Sequence, residues 1–232
     1  MPGTRTRTLT SALPLALAVV GALATAIPAA QAAPAQAAPA QAAPAQAAPD
    51  RAAPDRAGAR HSRPSRCRGQ GVDASARIRY QSDVVIKAPL STVWKLQTDV
   101  ERWPSWQQPV LTAERLDPGR LGKGSRFRWT TPAPATPTTP ATTLEITSTV
   151  RQLQRGACVL WSGPAVGQGL RVDEGVHLWT FTEVKGGVRV HTEETWTGPQ
   201  VEADVPTATA ALGAGLEAWL HDLKTTAEHR RK

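Results

Sequence analysis

The chain predicts an α+β domain in which one strand and two short helices precede six strands and a long helix. Three observations carry that expectation. Apolar and polar residues alternate with period two in seven separate segments, Gly186-Gly187 joins the last two of them, and after Pro206 the apolar spacing changes to that of a helix.

The first strand is RIRYQSDVVI, with Ile78, Tyr80, Ser82, Val84 and Ile86 on one side and Arg77, Arg79, Gln81 and Asp83 on the other. Pro89 ends it. Ser91, Asp99 and Glu101 suit short helices, and Pro104 interrupts the second one. The alternating segments VLTAERL, SRFRWTT, TTLEITSTVRQL, ACVLWSG and GVHLWTFTEV follow. VRVHTEETWTG comes next, across a Gly-Gly pair that signals a hairpin. GPAVGQG, between two of these segments, reads as a turn. Leu212, Leu216, Trp219 or Leu220, Leu223 and Ala227 then mark one face of a long amphipathic helix.

Upstream of the domain, residues 1–32 read as a signal peptide. Arg5 and Arg7 precede an apolar run from Leu9 to Ile27, and Ala30-Gln31-Ala32 is a small-residue cleavage site, so the expected mature chain begins at Ala33 and is secreted. That run falls short of the roughly 20 apolar residues a bilayer span needs, and no later segment qualifies, so no transmembrane domain is expected. Residues 33–76 repeat and then lose the unit QAAPA. They offer nothing large to bury and read as a disordered, semi-rigid linker, either a stalk that keeps the domain near a cell wall or surface or a plain soluble tail.

Charge partitions with these boundaries. Of the 27 Lys and Arg and 19 Asp and Glu, residues 77–232 hold 19 and 16, a net of +3. So small a surplus, with no basic and aromatic residues interleaved along one element, excludes a nucleic-acid partner. Cys67 and Cys158 are the only cysteines. In an oxidising compartment they either pair or leave Cys158 buried and Cys67 free, and the sequence leaves both open. A nucleophile elbow, a phosphate-binding glycine loop and zinc-type His/Cys spacing are all lacking, so no cofactor or metal is implied. Nothing bears on oligomeric state.

The stretches IKAPLSTVWKLQTDVERWPSW, GSRFRW, HLWTF, GGVRVHTEETWTG and LEAWLHDLK, in that order over about residues 77–230, resemble the SRPBCC superfamily, in particular its polyketide cyclase/dehydrase-like branch. The resemblance implies a helix-grip fold, a curved antiparallel sheet around the C-terminal helix, with a cavity between them for an apolar or amphipathic small molecule. The two short helices would then close one end. Trp94 and Trp103 are expected to pack there, while Trp106, after the proline, is a candidate for touching a ligand.

Strand parity selects the remaining wall. Phe127 and Trp129 oppose Arg126 and Arg128; His177, Trp179 and Phe181 share a face; so do Val190, Thr192, Glu194 and Trp196; Trp161 is a further candidate. A two-residue loop at Gly186-Gly187 places Trp179 opposite Glu194, and a shift of two places His177 there; either way His177 and Glu194 are neighbours. Gly213 and Gly215 in the long helix either widen the space beneath the sheet or permit close helix–sheet contact.

A carboxyl and an imidazole facing an aromatic cavity form a candidate acid/base pair, or a polar clasp that orients a ligand hydroxyl. The expected function is therefore secreted binding of a small hydrophobic molecule, a lipid or polyketide-like compound. The alternatives are a cyclase or aromatase-like enzyme using His177 and Glu194, and a surface-displayed structural or interaction domain. The resemblance implies carrier-bound intracellular substrates for the enzyme, which an exported domain would not meet.

Overall fold

The computed structural model describes residues 65–136 and 139–230. The expected signal peptide 1–32 and most of the linker 33–76 lie outside them. Seven strands form one antiparallel sheet: β1 (Ile78–Ile86), β2 (Thr112–Arg115), β3 (Arg126–Ala133), β4 (Thr142–Gln154), β5 (Cys158–Gly167), β6 (Leu170–Val184) and β7 (Gly187–Thr197). Their order across the sheet is β1-β7-β6-β5-β4-β3-β2, so each strand from β2 to β7 pairs with its chain neighbour and β1 closes on β7. Helix α1 (Leu90–Thr98) and a 3₁₀ helix (Val100–Ser105) follow β1, and α3 (Val205–His229) ends the fold. This is the helix-grip arrangement in the element order that the periodicity predicts. One element was not anticipated, the single turn α2 (Pro199–Glu202) between β7 and α3.

Two corrections concern turns. GPAVG is strand, not turn: β5 continues through it, and only Gln168-Gly169 turns. The pairing slips between Gly163 and Ala165, which sets Pro164, with no N–H to donate, outside the ladder. A second slip, between Val150 and Gln152 in β4, adds to the bending that curves the sheet. The hairpin loop is Lys185-Gly186, since Val184 pairs with Gly187. Gly186 has φ +87°, while Gly187 belongs to the strand, where a Cβ would lie 2.1 Å from the Ile86 carbonyl oxygen. Glycine therefore serves two needs here, a left-handed turn and a close backbone approach.

The helix α3 begins where Asp204 caps it, its carboxylate accepting from the Thr207 N–H at 3.1 Å. Along its length it buries Leu212, Leu216, Trp219, Leu220, Leu223 and Ala227, the face that the spacing predicts. Gly213 is the close contact: a Cβ there would come within 2.7 Å of the Tyr80 ring, itself tied to Glu217 by a 2.8 Å hydrogen bond.

On the outer face of the sheet, Cys67 and Cys158 form a disulfide, with a Cα–Cα separation of 5.5 Å. Residues 65–76, which composition assigns to the disordered linker, thus include a packed end. Cys67 is fully buried and clusters with Leu160 and Leu178.

Candidate functional site

The tryptophan-rich stretch after β1 closes one end of the sheet. Trp103 is fully buried and meets Phe127, Trp129 and Trp219 edge-to-face at ring distances of 5.4, 5.9 and 5.0 Å. Its indole N–H donates to the Gln97 carbonyl, while the Gln97 side chain accepts from Trp219. Trp94 packs edge-on against Phe181 at 5.3 Å. Indole supplies both the volume to fill a curved sheet's end and an N–H that needs one buried acceptor. Trp94 and Trp103 pack as expected.

Beyond this plug, a cavity of about 300 Å³ lies between α3, the β3–β4 connection and the inner faces of β6 and β7. Trp129 and Trp196 are on its wall, and so are His177 and Glu194. Five other sequence candidates, Trp106, Phe127, Trp161, Trp179 and Phe181, point inward but belong to the packed core and are not among the lining residues. Parity distinguishes inner from outer face. It does not reveal that the plug consumes the half of the concave surface where these rings lie. Trp106 shows this directly: it is 8% exposed and turned into the core.

The sequence reading missed other parts of the wall. Trp219 comes from α3, Gln107 from just after the 3₁₀ helix, and Asp204 from the mouth. No Cβ neighbour lies within 4 Å of Gly215, so this glycine widens the cavity while Gly213 makes the close contact. The helical period already placed Trp219 on the buried face. Gln107 carried no signal, because it follows an irregular segment with no period of its own.

The polar centre is a chain of four side chains. His177 and Glu194 are paired positions on β6 and β7, and His177 Nδ1 lies 3.0 Å from Glu194 Oε2. The other ring nitrogen is 2.7 Å from Thr192 Oγ1, and the other carboxylate oxygen accepts the Trp196 indole N–H at 2.8 Å. With the carboxyl ionised, a neutral ring donates from Nδ1 and accepts from the Thr192 hydroxyl at Nε2, so each donor in the chain is directed toward Glu194. Gly175 makes room for the pair: a Cβ there would sit 3.3 Å from Glu194 Oε1 and 3.5 Å from the Trp196 ring. His177 is buried between the rings of Trp161 and Trp179, at 5.2 and 4.9 Å. Both its nitrogens are engaged, so it orients Glu194, and the half-buried carboxylate is the group with capacity left to meet a ligand.

Among the described residues, no helix is long and apolar enough to cross a membrane. None of the curated proteins matches the chain by sequence. A crystal structure from Thermus thermophilus superposes with a TM-score of 0.52 at 18% identity over 66% of this chain and 99% of that one, a likeness of fold. The Zhui aromatase/cyclase from Streptomyces sp. R1128 is similar at a TM-score of 0.49 and 15% identity, over 66% of this chain and 95% of its own. The sequence profile described as polyketide cyclase / dehydrase and lipid transport matches residues 77–228, the whole sheet and nearly all of α3. The chain therefore belongs to that family, within the SRPBCC superfamily.

Proposed function

We propose that this domain is an exported binding protein for a small hydrophobic molecule held between α3 and the sheet. The observation that carries the reading is the cavity of about 300 Å³, walled mainly by apolar side chains and offering one organised polar centre at Glu194. Preformed sites of this kind span roughly 300 to 1,000 Å³ and use few polar groups to set orientation. The volume suits a short chain or a small polycycle rather than a two-chain lipid. Export rests on the features of residues 1–32 and is tested separately: the secreted protein's N-terminus should be Ala33, and retention of Met1 in the cells would refute it.

The test of binding is an apolar fluorescent probe, expected to occupy a single site and quench indole emission from Trp129, Trp196 and Trp219. Mass spectrometry of compounds extracted from the purified protein should identify a hydrophobic small molecule. A protein that takes up no probe and releases no compound would leave the cavity without a ligand and defeat the reading.

A second reading, a cyclase-like enzyme, draws on the family's description and on the His177–Glu194 pair. There the carboxylate takes a proton from a carbon between two carbonyls. The enolate closes on a further carbonyl of the same molecule, and the proton returns to the new alkoxide. Neither Lys nor Arg is among the described lining residues to stabilise that alkoxide, which favours binding over turnover. Turnover lost in Glu194→Gln with binding retained would instead support the enzyme.

A further inference from the structure

From the polarity of the cavity wall we infer that its preferred ligand is a hydrophobic amine bound as a cation, rather than a fatty acid or other organic anion. This rests on the binding reading above and specifies its ligand. The wall holds acceptors with hydrogen-bonding capacity to spare. Glu194 receives donors from His177 and Trp196, yet each carboxylate oxygen has a lone pair to spare. The side-chain carbonyl oxygen of Gln107, on the same wall, has no hydrogen-bond partner although the residue is 1% exposed. A buried acceptor left unmatched costs about 1–3 kcal/mol, which a ligand N–H recovers.

The charges agree. Asp204 stands at the mouth as a second carboxylate, and the Thr207 backbone N–H and hydroxyl hold its carboxyl below the usual range. With no Lys or Arg among the described lining residues, a carboxylate or phosphate headgroup would meet acids and find no countercharge. Three indoles, Trp129, Trp196 and Trp219, complete the wall, and indole is the side chain whose ring attracts cations best. The domain's net charge of +3 has the opposite bias, so general electrostatic attraction would favour anions, and a preference for amines would have to arise in the cavity.

The test titrates the purified full chain at neutral pH with octylamine, octanol and octanoate, which share a chain and differ in headgroup, and follows calorimetry and indole fluorescence. Octylamine is expected to bind at least about tenfold more tightly than octanoate, and Glu194→Gln to remove most of that preference while octanol binding changes by less than about threefold. Octanoate binding as tightly as octylamine would overturn the inference and leave the binding reading standing. So would an amine preference that survives in a folded Glu194→Gln. If none of the three binds, the binding reading itself has failed and the inference with it. Should circular dichroism show Glu194→Gln unfolded, the headgroup series on the unaltered chain decides alone.

Discussion

His177 Nδ1 lies 3.0 Å from Glu194 Oε2, and the same ring's Nε2 is 2.7 Å from Thr192 Oγ1. The imidazole is thus a buried strut between two β7 side chains, and its loss is felt in both the fold and the site. His177→Ala is expected to destabilise the domain by about 2–4 kcal/mol, because it opens a cavity beside Trp161 and Trp179 and strips Glu194 and Thr192 of a partner. Urea unfolding followed by circular dichroism measures this. A change within about 0.5 kcal/mol would show that the strut is dispensable.

The two kinds of tryptophan should separate in experiment. Trp129 is half-buried on the cavity wall, its N–H reaching Ser148 Oγ at 3.3 Å. Trp129→Ala is expected to leave a folded domain that binds an apolar probe several-fold less tightly. Trp103→Ala removes a fully buried ring in contact with four others and should cost about 3–5 kcal/mol. If Trp129→Ala unfolds the domain, its ring is core and the cavity assignment is wrong.

Gly213 and Gly215 should respond in opposite directions to alanine. At Gly215 the new methyl enters open space, so helix propensity dominates and stability rises by up to about 1 kcal/mol, while the narrowed cavity weakens ligand binding. At Gly213 the methyl collides with the Tyr80 ring, which Glu217 holds in place, and the midpoint of thermal unfolding should fall. Equal shifts at the two positions would contradict the packing described.

The outer face sets a pH dependence of stability. The carboxylates of Glu193 and Asp83 raise the pKa of His191 against the opposing effect of burial, Asp83 at 3.1 Å and Glu193 at 3.9 Å. A raised histidine contributes stability that is fully present below its ordinary value near 6.5 and is lost as pH climbs through the raised one. Burial alone would raise the Glu193 carboxyl, but His191 and Arg79 outweigh it and hold the group low, so its contribution is full above the ordinary value of 4.5 and is lost as pH falls from there through the lowered one. His191→Gln should therefore flatten the decline of thermal midpoint as pH rises above about 6.5. An unchanged slope in that variant would remove His191 as its cause.

Reducing the Cys67–Cys158 bond should lower stability by at most about 4–5 kcal/mol, the chain-entropy value for a crosslink across 91 residues. Urea midpoints with and without reductant measure it. Complete alkylation of both cysteines before any reductant is added would show that the bond does not form in the protein as purified.

Period and punctuation in the chain determine its fold. The alternation of Ile78, Tyr80 and Val84, the break at Pro89 and the Leu212-Leu216-Trp219-Leu223 spacing each record which side of an element meets the core, and burial acts on every such residue locally. His177 and Glu194 were legible as neighbours for the same reason: strand parity places them on one face whichever hairpin register holds. Which register holds was decided by tertiary contact, since Gly187 is drawn into β7 by the close passage of Ile86 and the loop becomes Lys185-Gly186. Tertiary packing also decided which inward rings remain at the cavity. Trp103 fills the concave surface beside Phe127 and Trp161 and leaves Trp129 and Trp196 facing space, a partition of volume among distant residues that no local pattern encodes.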